Sequence, residues 1–222
     1  MESKIVDQYV EKYIRSLLPE HTGLLEELEA FAALHRVPII HPEIAQYMKV
    51  FLGIVKPVRI LEIGTAIGYS ASIFATSMQS GHIDTIELNE VMAEKAKETF
   101  ERLNESVPNV SVSIHLGDAK DVIKTLEGPY DMIFIDAAKG HYQTFFETAY
   151  DLLSETGVIV SDNVLYKGMV ATNEYLVRRK ITIVKRMRKY LEFITTHPNL
   201  ETTVLTMGDG LAVSYKKGKT NE

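Results

Sequence analysis

From residue 58 onward the chain alternates short β-prone runs with helical stretches, and most of the runs end at a residue able to hold a ligand. The runs lie at 58–63, 82–88, 110–116, 130–135 and 157–160. Helical spacing fills the intervals through about 78, over 90–104, near 119–126 and over 141–153. Strands joined through helices need crossover connections, which implies a parallel sheet with both faces covered. The pattern breaks at the end, where 201–207 and 211–215 are joined by Gly208-Asp209-Gly210. Two β-rich runs around such a turn predict an antiparallel hairpin.

The first 55 residues read as helices. Ile5, Tyr9, Tyr13 and Leu17 recur every four residues, and Leu24, Leu25, Leu28, Phe31 and Leu34 follow a Pro-containing break. A third helix starts near Pro42 and carries Ile44, Met48 and Phe51. The segment 36–41 between them is extended, because Pro38 and Pro42 push their preceding residues out of the helical region. Val37 to His41 is placed to close over a ligand at the sheet edge. No linker or repeat divides the 222 residues. The expectation is one domain over 1–222, with N-terminal helices at 1–55 and the sheet-bearing core at 56–222.

Composition removes several classes. With no Cys, disulfides and thiolate metal sites are excluded, and a reducing cytoplasmic setting suits the chain. Met1 to Asp7 carries early acids and no apolar run, so it is not read as a signal peptide. No stretch approaches the roughly 20 apolar residues a membrane span requires. The net charge of −6 argues against a generally basic nucleic-acid binder, yet seven of the twelve residues from Arg178 to Lys189 are basic and none is acidic. Such a strip is either a solvated helix face or a surface that meets phosphates.

The turn after the first strand reads Leu61-Glu62-Ile63-Gly64-Thr65-Ala66-Ile67-Gly68-Tyr69-Ser70. Ligands of a doubly wound sheet bind at the carboxyl ends of the strands, where this turn lies. Gly64 allows close approach of a ligand, and Gly68 allows tight entry into the helix. Ala66 occupies the place of the middle glycine in the dinucleotide fingerprint, which counts against a nicotinamide oxidoreductase. Glu62 suits a ligand with a cationic amino-acid part. Glu87 ends the second strand, where a carboxylate can accept both hydroxyls of a ribose. Gly117-Asp118-Ala119 ends the third, within reach of an adenine amino group. Each acid could instead be only a helix cap; together the three strand ends point to an adenosine-bearing ligand.

The fourth run ends in Asp136 and the fifth in Asp162-Asn163. Two carboxylates and an amide oxygen are hard ligands suited to Mg²⁺. The same acids could merely cap the segments that follow.

With these residues in view, the chain resembles the cation-dependent O-methyltransferases of the caffeoyl-CoA and catechol type. The motifs that carry the resemblance are Glu62 to Ser70, Phe134-Ile135-Asp136-Ala137-Ala138-Lys139-Gly140-His141-Tyr142 and Gly157-Val158-Ile159-Val160-Ser161-Asp162-Asn163-Val164-Leu165. The resemblance implies a Rossmann-like class I S-adenosylmethionine-dependent methyltransferase, with a seven-stranded, mostly parallel α/β sheet and extra N-terminal helices. It also implies Mg²⁺ on Asp136, Asp162 and Asn163, with Lys139 near the acceptor oxygen. Cofactor contacts fall at Val37, Glu62, Gly64, Thr65, Ser70, Glu87, Asp118, Ala119 and Asp136. A homodimer is the family default.

A metal that chelates two neighbouring oxygens selects a catechol-like pair, or O4 and O5 of 5-hydroxyuridine. The chain is more similar to the bacterial tRNA 5-hydroxyuridine methyltransferases of this family than to the plant enzymes. That makes the anticodon loop a partner, with Arg178, Arg179, Lys180, Lys185 and Arg186 on the phosphates. No aromatic stacking platform stands out in the sequence to support that role. The alternatives are a methyltransferase of catechol-like or caffeoyl-type small molecules and a non-catalytic adenosine-binding regulator.

Overall fold

The computed structural model describes residues 5–218. Its centre is a seven-stranded sheet in the order β3-β2-β1-β4-β5-β7-β6. The parallel strands are β1 (Arg59–Ile63), β2 (Gly81–Glu87), β3 (Val110–Leu116), β4 (Tyr130–Ile135) and β5 (Leu153–Ser161). The hairpin of β6 (Leu200–Leu205) and β7 (Leu211–Lys216) closes the sheet by pairing β7 antiparallel to β5. The order reverses between β1 and β4, so the crevice expected of a doubly wound sheet opens at their carboxyl ends.

The strands alternate between two buried faces, as period two requires. Ile60, Met132, Phe134, Val158 and Val160 enter one core, together with residues of α2 (Leu24–His35), α3 (Pro42–Val55), α4 (Tyr69–Ser77) and α5 (Glu90–Ser106). Leu61, Ile63, Ile133, Ile135 and Ile159 enter the other, with α6 (Ala119–Val122), α7 (Tyr142–Tyr150) and α8 (Ile181–Thr196). Both faces are mostly apolar, which is why Met132 to Ile135 of β4 reads as a continuous hydrophobic run and Ile60 to Ile63 of β1 is broken only by Glu62.

Three local expectations need correction. The fifth strand begins at Leu153, not 157, because its polar start pairs irregularly: the register shifts between Tyr130↔Leu153 and Met132↔Val158. The basic strip is not one helix; Arg178–Lys180 forms a 3₁₀ turn ahead of α8. The helix α1 (Gln8–Ser16) exists, but its apolar stripe is not core: Tyr9, Tyr13 and Leu17 are 74%, 65% and 64% exposed. Polar contacts hold α1 instead. Arg15 donates to both carboxylate oxygens of the buried Glu43, at 2.9 and 3.0 Å, and to Nδ1 of His41 at 2.9 Å.

No helix among the described residues is long and apolar enough to cross a membrane.

Candidate active site

A cavity of about 960 Å³ opens at the β1/β4 crevice. That is the upper end of the range for small-molecule and cofactor sites, about 300–1,000 Å³. Val37 to His41 form one wall, as the two prolines led us to expect, and Gly64, Thr65, Ser70, Glu87, Asp118, Ala119, Asp136, Lys139 and Asn163 also face it.

The turn after β1 is shaped by close approach to β4. Asp136 N–H donates to the Ile63 carbonyl at 3.0 Å, and a Cβ on Gly64 would lie 2.1 Å from the Asp136 carbonyl oxygen. Gly64 also has φ +106°, a region L side chains avoid. Glycine at 64 therefore lets the strand ends touch and brings Asp136 into the adenosine-type pocket. Ala66 has φ +47°, and its N–H donates to Glu87 Oε2 at 2.8 Å while Asn89 N–H donates to Oε1 at 2.8 Å. Each Glu87 oxygen holds one backbone donor, and a carboxylate oxygen has a second lone pair for a ligand hydroxyl. Asp118 caps α6 through Lys120 N–H and faces the cavity as well.

Glu62 departs from the expectation. It is wholly buried and lies behind the cavity wall, where its carboxyl accepts from the Ser70 and Thr85 hydroxyls. Thr85 in turn bonds the Thr65 hydroxyl at 2.6 Å. Burial pushes the Glu62 carboxyl up to about 8, against the two hydroxyl donors. From behind the wall it anchors Ser70 directly and Thr65 through Thr85.

Asp136, Asp162 and Asn163 come together as predicted from adjacent strand ends. Asp162 N–H donates to the Ile135 carbonyl at 3.0 Å, which locks the fifth strand end beside the fourth. Asn163 has φ +60°, and its N–H bonds Asp162 Oδ1 at 2.6 Å. Asp162 Oδ2 is buried without a hydrogen-bond partner among the described residues. Burial, and then the Asp136 charge, hold the Asp162 carboxyl well above the usual carboxylate range. Burial raises Asp136 too, opposed by the Lys139 and His41 charges. Buried like charges and an orphaned carboxylate oxygen form an electrostatic debt that a divalent cation would cancel. The donor set therefore fits the hard cation implied by the resemblance.

The basic strip divides. Arg188 turns inward and donates to the carbonyls of Val170 and Met169 and to Asn173 Oδ1, so it braces the loop before α8. Arg178, Arg179 and Lys185 are exposed. Arg186 donates to the Gly140 carbonyl at 3.2 Å, next to Lys139, and Lys180 Nζ lies 5.6 Å from the Tyr166 ring centre. His41, the residue before α3, borders the main cavity, and Tyr166, which opens a 3₁₀ turn at Tyr166–Gly168, borders the adjoining cleft without a spacing signal of its own.

Crossover strands, an antiparallel edge and this crevice define a Rossmann-like methyltransferase architecture. The O-methyltransferase family profile matches residues 16–217. A catechol O-methyltransferase of Niastella koreensis is 28% identical over 220 residues, covering 94% of this chain and 96% of that protein. A candidate caffeoyl-CoA O-methyltransferase structure from Staphylococcus aureus superposes with TM-score 0.84 at 34% identity, over 94% of this chain and all of that one. An O-methyltransferase from Bacillus cereus, solved in complex with SAH, gives TM-score 0.80 at 29% identity, over 94% and 97%. The chain belongs to the O-methyltransferase family, of the caffeoyl-CoA and catechol type.

Proposed function

We propose that this O-methyltransferase uses S-adenosylmethionine and Mg²⁺ to methylate 5-hydroxyuridine, giving 5-methoxyuridine at the wobble position of tRNA. The observation that carries the acceptor is a group of cations next to the cavity on an otherwise acidic protein: Lys139 lines it, Arg186 lines the adjoining cleft, and Lys180 lies over the Tyr166 ring at that cleft. A cationic rim supports binding of phosphates while an unpaired base enters.

The adenosine part suits the wall of Gly64, Thr65, Ser70, Glu87, Asp118 and Ala119, with Glu62 fixing Ser70 from behind. The cation suits Asp136, Asp162 and Asn163. S-adenosylmethionine supplies a sulfonium methyl for in-line transfer, and the cation supplies a Lewis acid that makes a neighbouring hydroxyl more acidic. Lys139 Nζ, which faces the cavity, takes the acceptor proton or shields the oxyanion left behind. Gly64 and Asn163 hold the two binding regions in contact, so orientation supplies much of the acceleration.

A second reading, with a catechol-like or caffeoyl-type acceptor, is supported by the same chelating geometry and the relatives' names. A non-catalytic adenosine-binding role is the remote third and would leave Lys139 and the orphaned Asp162 oxygen without purpose. Exposed Tyr9, Tyr13 and Leu17 on α1 support a homodimer, which light scattering on the purified protein would measure. Nucleoside mass spectrometry of tRNA from a strain lacking the gene tests the acceptor. Loss of 5-methoxyuridine with accumulation of 5-hydroxyuridine is expected. Unchanged 5-methoxyuridine would return the acceptor to the small-molecule class.

A further inference from the structure

We infer that the shallow cleft beside the cavity mouth is a second subsite, which seats a nucleotide adjoining the target base of an RNA acceptor. The inference rests on the RNA reading above and specifies where the rest of that RNA is held.

The cleft, about 470 Å³, shares the wall from Ala137 to His141 with the main cavity and continues onto Tyr166, Ile183 and Arg186. Among the described residues no carboxylate lines it. Tyr166 is half-buried and carries its ring on an uncommon backbone: φ is +43° at Tyr166, +58° at Lys167 and +60° at Asn163. Non-glycine residues persist in that region only where their surroundings over-determine them, and they cluster at ligand sites. Here the loop is pinned. Val164 and Leu165 N–H donate to the Gly210 and Asp209 carbonyls at 2.9 Å, and Tyr166 N–H donates to the Asn163 carbonyl at 3.2 Å. The segment that presents Asn163 to the metal cluster thus also fixes the Tyr166 ring, three residues on.

Cations surround that ring. Lys139 Nζ lies 5.8 Å and Lys180 Nζ 5.6 Å from its centre, near the outer limit of cation–π contact. Arg186 packs on Gly140, where a Cβ would come within 3.2 Å of Nη1, and Nη1 donates to the Gly140 carbonyl. A half-exposed aromatic ring with two ammoniums over it and a guanidinium along the same cleft matches one nucleotide: the base stacks on Tyr166 as the flexible lysine ends swing from over the ring onto its phosphate, next to Arg186.

The test is fluorescence anisotropy with a labelled, unmodified anticodon stem-loop. Wild type, Tyr166→Ala, Tyr166→Phe and Arg186→Ala are compared, each also titrated with S-adenosylhomocysteine by calorimetry. Tyr166→Ala should weaken RNA binding roughly tenfold, as expected for one lost stacking contact. Tyr166→Phe keeps the ring and should stay within about twofold of wild type. Arg186→Ala should reduce the salt dependence by about one phosphate contact. All should bind S-adenosylhomocysteine like wild type. If Tyr166→Ala binds the stem-loop as tightly as wild type, the subsite is wrong while the RNA reading stands. If it loses RNA and S-adenosylhomocysteine in parallel, Tyr166 is only structural and the inference falls. If wild type neither binds the stem-loop nor methylates 5-hydroxyuridine RNA, the RNA reading fails and takes the subsite with it.

Discussion

Replacing Asp162 by Asn should make the metal-free protein more stable while abolishing its response to metal. Asp162 is fully buried, Oδ2 has no hydrogen-bond partner among the described residues, and the Asp136 charge adds to the burial that raises its pKa. A raised carboxyl binds more protons in the folded than in the unfolded chain. Its favourable contribution is complete below the unfolded value of 3.8 and is lost as pH rises through the higher folded value. An uncompensated buried charge costs about 3–5 kcal/mol, and the open cavity lined by the neighbouring Asp136 and Asn163 reduces that to about 2–3 kcal/mol here. For a chain of this size each kcal/mol moves the Tm by about 2–4 °C. In EDTA near pH 8, Asp162→Asn should therefore melt about 4–12 °C above wild type, with the gap shrinking toward about pH 5. Added Mg²⁺ should raise the wild-type Tm and leave the variant unmoved. Differential scanning calorimetry at both pH values reads all of this. A variant that melts below wild type in EDTA, or that responds equally to Mg²⁺, would refute the assignment of Asp162 to a cation site.

Three further outcomes follow from local geometry. Gly64→Ala places a Cβ against the Asp136 backbone at 2.1 Å and strains φ +106°; it should cost about 3 kcal/mol or more and abolish S-adenosylhomocysteine binding, both measured on purified protein. Glu62→Gln keeps a neutral anchor for Ser70; the wild type, whose carboxyl sits at about 8, should lose stability as pH rises toward and through that value, and the variant should lose less in pH-dependent melts. Arg15→Ala strips the buried Glu43 of its guanidinium and should cost about 1–2 kcal/mol at neutral pH. The Arg15 contacts lower the Glu43 pKa, so that penalty should fade as pH drops below the ordinary value of 4.5, and limited proteolysis should cut first near α1.

Much of the fold was legible because β1 and β4 are buried on both faces, which leaves mostly apolar runs, broken by Glu62 in β1 and Asp131 in β4, between helical spacings. The start of β5 was not, since Ser154-Glu155-Thr156 is polar and its pairing is irregular. The helix α1 shows the limit of periodicity: Tyr9, Tyr13 and Leu17 share a face, yet spacing cannot say whether anything covers it. At the site, Gly64, Glu87, Asp136, Asp162 and Asn163 could be placed because each ends a parallel strand, and parallel strand ends share one edge. Glu62 was misplaced by one layer. Its position before the turn suggested ligand contact, but alternation along β1 turns it beneath Ser70. Tyr166 escaped notice because left-handed backbone at Tyr-Lys has no sequence signal comparable to Gly or Asn.

The account turns on one transfer reaction. Purified protein, Mg²⁺ and S-adenosylmethionine with a labelled methyl group should label tRNA bearing 5-hydroxyuridine, with 5-methoxyuridine as the product by mass spectrometry. EDTA or Asp136→Ala should eliminate the label. Label that survives EDTA and Asp136→Ala would contradict the metal site, and tRNA left unlabelled while catechols are methylated would contradict the acceptor.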